Sequence, residues 1–141
     1  MIDVGGKKLT VREATAEAEI KISKNSIEMI KNKNVPKGDV LEISRIAGIM
    51  AAKKTSEFVP LCHQISLDWV SIDFTFDEGK ITIRSKVKAK WKTGVEMESL
   101  ISCAISAITI YDMLKAFDNE MEITSIKLLE KKGGKTNFKR K

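Results

Sequence analysis

Asp112 and Lys115 stand three residues apart near the end of the stretch 93–117, TGVEMESLISCAISAITIYDMLKAF. On a helix that spacing puts both on one face. As a surface ion pair they are worth only a few tenths of a kcal/mol, roughly. As a working pair they form an acid/base carboxylate beside an ammonium that can hold phosphate. Glu96 and Glu98 open the same stretch. Two residues apart, they point about 200° apart on a regular helix and are not expected to enter one pocket together. From Glu98 to Asp112 the helix rises about 21 Å, at about 1.5 Å per residue. One small-molecule site cannot use both ends of such a helix within a single chain. If both ends work, a neighbouring subunit completes the site.

The chain has one histidine, His63, directly after Pro60-Leu61-Cys62. A lone histidine is as often a hydrogen-bonded structural residue as a working one. Cys62-His63 is no structural zinc pair, because adjacent ligands without a second cluster do not make such a site, and no metal site is expected. Lys37-Gly38-Asp39 precedes a helical pattern, and a glycine-led helix start beside a lysine can hold phosphate through backbone N–H groups. It is not a Walker A loop, since GxxxxGK[ST] is absent. Gly133-Gly134-Lys135 makes a second flexible basic turn. No nucleophile elbow, GxGxxG or CxxC pair occurs.

The elements that must carry these residues follow from periodicity. Residues 100–110 hold no charge, and Ser, Ala and Ile lie around the whole helical wheel. A helix apolar all round is expected to be buried all round. The run is too short for a membrane span, which needs about 20 apolar residues. Residues 1–11 read as a flexible arm and 17–23 as an edge strand. Residues 25–31 suit a short helix. Asp39 is the expected N-cap of a second helix, VLEISRIAGIMAAKKT, which Pro60 keeps from continuing. Residues 67–76 alternate as a strand, with Val70, Ile72, Phe74 and Phe76 as the apolar side. Asp77-Glu78-Gly79-Lys80 is a hairpin turn. Residues 81–90 alternate again, with Thr82, Arg84, Lys86 and Lys88 as a basic outer face. Residues 122–129 form the last strand, and 132–141 a basic tail. The expectation is an α+β fold, a ferredoxin-like β-α-β-β-α-β sandwich with an antiparallel sheet and an extra short helix. Helices on one face leave the other face and their own outer sides to be hidden, and oligomerisation does this economically.

With 141 residues, 43% hydrophobic and 31% charged, the chain fits one domain, 1–141, with a real core. The start MIDVGGKKLTVREA lacks an apolar h-region, so a cytoplasmic location without membrane contact is expected. Cys62 and Cys103 are then reduced thiols rather than a disulfide. A net charge of +6 and a pI of about 9.3 favour anionic partners. One rival reading is a basic module that binds nucleic acid through Lys86, Lys88, Lys90 and the tail. Few aromatics interleave with these lysines, so no nucleic-acid partner is expected.

Longer motifs add to this. KGDVLEISRIAGIMAAKKT, FVPLCHQISL, TGVEMESL, ITIYDMLKA and KLLEKKGGK closely resemble, in this order, the molybdenum-cofactor biosynthesis protein C family, the cyclic pyranopterin monophosphate synthases. The opening IDVGGKKLTVREATAE is similar too, so the resemblance spans essentially the whole chain. It implies conversion of 3′,8-cyclo-7,8-dihydroguanosine 5′-triphosphate to cyclic pyranopterin monophosphate with release of pyrophosphate. No electron need move, so no resident cofactor is implied, with magnesium allowed as a companion of the triphosphate. By motif, Asp112, Lys115 and Lys37 resemble the catalytic residues. Leu61, Cys62, His63, Met97 and Glu98 match substrate-binding segments, and Lys53 joins them as the basic end of the second helix. The resemblance further implies a homo-oligomer, a hexamer built as a trimer of dimers, with sites between subunits. Two departures stand out. Gln64 follows His63 where the family usually has proline, and the tail reads KTNFKRK. A second rival reading is a relative that assembles without catalysing, against which the intact YDM, LCH and VEME motifs speak.

Overall fold

The stretch TVREATAEAEIK alternates small apolar residues with charge. In the computed structural model, which describes residues 1–141, it forms strand β1 (Thr10–Lys21). Helices α1 (Lys24–Lys31), α2 (Val40–Lys53) and α3 (Thr55–Phe58) follow, then the hairpin strands β2 (Trp69–Asp77) and β3 (Lys80–Trp91). Helix α4 (Glu96–Leu114) and strands β4 (Glu122–Lys132) and β5 (Phe138–Lys139) complete the chain. The sheet order is β2-β3-β1-β4-β5, and every pair is antiparallel. Its first four strands have the ferredoxin-like order, with α4 packed on β1, β3 and β4 and α2 on β2 and α4. Helix α3 was not foreseen. The two-residue turn Glu78-Gly79 closes the expected hairpin, with Gly79 at φ +73°.

β1 corrects the expectation of a short edge strand at residues 17–23. It is twelve residues long and lies between β3 and β4. Ala14, Ala16, Ala18 and Ile20 are buried beneath α4, and the small side chains let that helix lie close. The outward residues explain the central place. Glu17 accepts from Arg84 of β3 at 2.6 Å and also lies 3.9 Å from Lys127 of β4. Only a strand with a neighbour on each side can pair its carboxylate both ways. Lys80 with Glu19, and Lys86 and Lys88 with Glu13, extend this ladder. The basic outer face of β3 therefore exists as expected. It is matched by acid on the neighbouring β1.

Asp39 caps α2 as expected, its carboxylate accepting from the Glu42 N–H at 3.2 Å. α2 and α4 meet through small residues. Ser106 Oγ donates to the Ser44 carbonyl at 2.9 Å, and a Cβ on Gly48 would collide with Ile72 and the Ser102 carbonyl. α4 itself departs from the expectation of burial all round. Ser99, Ser102, Ser106 and Ile110 face inward, but Ile108 is 51% exposed, as are Ile46 (55%) and Met50 (53%) on α2. Ser102 and Ser106 serve the helix–helix contact and Ser99 faces β3, so the apolarity of α4 leaves one greasy side outside. α4 has the length and composition of a membrane span, yet half of it is buried against its own fold.

Candidate active site

Three segments converge at the start of α4. The Leu61-Cys62-His63 loop, residues 2–7 and the Thr93-Gly94 turn border a cavity of about 270 Å³. Ile2, Val4, Leu61, Ile65 and Met97 make it half apolar, and Cys62, His63, Glu96 and Glu98 supply its polar groups. Both glutamates line it, contrary to the expectation from their spacing. The cavity wraps the first turn of the helix instead of facing one side of it, so residues on different faces reach it.

Glu98 is the unusual group. Only 3% of it is exposed, and burial pushes its pKa from the ordinary 4.5 up to about 7. A hydrogen bond from its own backbone N–H works against burial, and the charge of Glu96 works with it. A carboxyl poised near neutrality can both hold and release a proton. Cys62 is shifted in the same direction. Burial first, and then the nearby Glu98 and Glu96, raise its pKa, so the protonated thiol predominates at neutral pH. Cys62 and Cys103 are both free, as expected of reduced thiols.

A second cavity of about 220 Å³ adjoins the first and shares Lys7, Thr93, Gly94 and Glu96 with it. It has no apolar lining. Lys7, Arg12, Lys131, Lys132 and Lys135 surround it, against the carboxylates of Glu13 and Glu96. Arg12 is nearly buried and is aimed by its Nε, which donates to Thr10 Oγ1 at 2.6 Å. Gly133 (φ +95°) and Gly134 (φ +77°) lie where any side chain would strike Val11 or Arg12. Lys131 ties β4 to α4 through Glu96 at 3.2 Å. Sequence reasoning missed this basic lobe apart from the glycine turn. One signal was available: Arg12 occupies the inward phase of β1, in step with Ala14, Ala16 and Ala18.

The far end of α4 carries the other group. Lys37 Nζ donates to Asp112 Oδ2 and to its carbonyl, both at 2.9 Å, and Lys115 Nζ lies 2.9 Å from Asp112 Oδ1. These hydrogen bonds, Lys37 first, hold the exposed Asp112 carboxyl below its ordinary value, so it is ionised at neutral pH. Gly38 at φ +118° makes the turn that brings Lys37 there before α2 begins. The structure thus brings together Lys37, Asp112 and Lys115, and separately Leu61, Cys62, His63, Met97 and Glu98. It joins Lys53 to neither. That residue borders a shallow groove with Gln64 and Trp91. Asp118, which the sequence did not flag, accepts from the Ser23 N–H at 2.8 Å and Ser26 Oγ at 3.0 Å and pins α1.

Residues 1–134 match the MoaC family. The chain belongs to the MoaC family. Similar MoaC proteins include one from Peptoclostridium acidaminophilum, 48% identical over 96% of this chain and 87% of its own length. Another, from Novosphingobium aromaticivorans, is 48% identical with the same coverage. A third, from Heliobacterium modesticaldum, is 46% identical over 96% of this chain and 87% of its own. All three are named cyclic pyranopterin monophosphate synthase. The MoaC match takes in both ends of α4, the cavity loop and the glycine turn.

Proposed function

We propose that the chain is a cyclic pyranopterin monophosphate synthase of molybdenum cofactor biosynthesis. Its substrate is 3′,8-cyclo-7,8-dihydroguanosine 5′-triphosphate. The observation that carries this reading is the joined pair of cavities, one half apolar with two carboxylates, the other lined by five cationic side chains. A nucleotide has the same division into a flat, hydrogen-bonding part and a polyanion. The relatives' shared name supplies the reaction class.

In this reading the triphosphate lies among Lys7, Arg12, Lys131, Lys132 and Lys135, which neutralise the charge gathering on departing pyrophosphate. Magnesium enters only with the triphosphate. Glu98 exchanges a proton with the rearranging ring system, its pKa near 7 suiting both directions. The reaction isomerises the ring framework and expels pyrophosphate without net electron transfer. Lys37, Asp112 and Lys115 come from a neighbouring subunit, since α4 keeps them about 21 Å from Glu98 within one chain. Asp112 acts as the fixed anion and proton acceptor, and the lysines donate protons or hold phosphate. The exposed Ile46, Met50 and Ile108 support a homo-oligomer, proposed as a hexamer with sites between subunits in the cytoplasm.

A single-turnover assay tests this. Pure protein is mixed with enzymatically prepared 3′,8-cyclo-dihydro-GTP, and pyrophosphate and the cyclic pterin are followed. Stoichiometric appearance of both is expected. Absence of product, with magnesium present and the oligomer intact, overturns the reading.

A further inference from the structure

The first nine residues form neither helix nor strand, yet they are tied down. The Gly5 N–H donates to Asp3 Oδ1 at 2.8 Å and the Lys7 N–H to the Val4 carbonyl at 3.0 Å, closing a turn. Lys92, just beyond β3, donates from Nζ to the Gly5 carbonyl at 3.2 Å. His63 Nε2 lies 2.6 Å from the Ile2 carbonyl. So held, Ile2 and Val4 line the apolar lobe beside Cys62, and Lys7 stands where the two lobes meet.

The contact at Ile2 has a chemical consequence. A carbonyl oxygen only accepts, so Nε2 of His63 must be the donor. In a neutral imidazole that fixes the proton on Nε2 and leaves Nδ1 as an acceptor. We propose that residues 1–7 are a strap that positions His63. Its Ile2 carbonyl selects the Nε2–H tautomer, and Ile2 and Val4 close one wall of the cavity over Cys62. The strap is held by main-chain atoms at both ends. Ile2 itself is largely exposed while its carbonyl is engaged. The identity of side chain 2 is therefore secondary for His63, and the path of the backbone is what matters. Ile2→Ala separates the two functions, because it keeps the carbonyl and trims the wall.

Two measurements need no substrate. In protein labelled with ¹⁵N-histidine, the single His63 should give an Nε2–H proton protected from solvent exchange. It should persist in Ile2→Ala, weaken in Lys92→Met and vanish when residues 2–4 are deleted. In parallel, alkylation of Cys62 by a small maleimide should quicken about tenfold in the deletion as access opens. Cys103, fully buried, is the unreactive reference. Lys92→Met decides the matter if the deletion fails to fold. An Nε2–H signal and a Cys62 rate that stay the same in the released strap overturn the proposal.

The kinetic role of the strap rests on the synthase reading. With 3′,8-cyclo-dihydro-GTP, the deletion should raise KM about tenfold and move kcat far less, as expected when a binding wall is lost. If the intact chain gives no turnover, the synthase reading falls, while the His63 and Cys62 measurements still decide the strap.

Discussion

Glu98→Gln should make the protein more stable at pH 8 and leave it unchanged at pH 4. In the unfolded chain the Glu98 carboxyl ionises near its ordinary 4.5, in the folded chain near 7. Below pH 4.5 both states hold the proton, and the side chain costs nothing. Between 4.5 and 7 the unfolded state alone ionises, so stability falls by about 1.4 kcal/mol per pH step. Above 7 both states are charged and the loss levels off. The full difference corresponds to about 3 kcal/mol, which water in the open cavity lowers to about 2 kcal/mol. The α4 dipole returns about 0.3–1 kcal/mol to a carboxylate in the first turn, and burial outweighs it. Glutamine fits the same space without the charge. Thermal melts at one protomer concentration should therefore show a gap of about 4–8 °C at pH 8 for a domain of this size. At pH 4 the two proteins should melt together. A gap of equal size at both pH values would refute the argument, because it would owe nothing to ionisation. The more stable variant should be the poorer catalyst, since it has no proton to exchange.

Asp112→Asn should lower single-turnover rates by about a hundredfold or more, and a full rate sinks the acid/base role. Lys37→Ala should let the Asp112 pKa climb towards its ordinary value, read by carboxylate ¹³C titration, because Lys37 is the first cause of its depression. An unmoved titration refutes that coupling. Arg12→Ala should weaken inorganic triphosphate binding about tenfold or more and flatten its salt dependence; equal affinity and slope would remove Arg12 from the anion lobe. Gly48→Ala should cost about 1–3 kcal/mol by overpacking the α2–α4 contact, and an unchanged melting temperature contradicts that close approach.

Strong alternation and punctuation were legible in the sequence. The β2–β3 hairpin, the Asp39 cap and the order of elements follow from residues whose neighbours in the chain set their geometry. β1 was harder because alanine carries little apolar signal. Its place at the centre shows only when Arg84 and Lys127, distant in sequence, are both seen to reach Glu17. The same limit applied to the site. Pairing Asp112 with Lys115 needs only helical spacing, whereas the basic lobe gathers Lys7, Arg12 and Lys131 from three segments. Glu96 and Glu98 misled because wheel geometry describes a helix flank, and the cavity encloses a helix end. The burial that shifts Glu98 belongs to tertiary packing and has no local signature.

The central position of β1 also sets a timetable for folding. Ala18 pairs with Ile83 on one side and Ile126 on the other. The strand thus receives its second partner only once β4 is made, on the order of ten seconds later at about 5–20 residues per second. Long-range pairing of this kind slows folding. Until β3 is made β1 has two open edges, and until β4 is made it keeps one, that could template pairing with another chain. Glu13, Glu17 and Glu19 put three like charges along one face of the waiting strand, and such charge discourages pairing between copies. The residues that form the ion ladder in the finished sheet thus double as gatekeepers of the nascent chain.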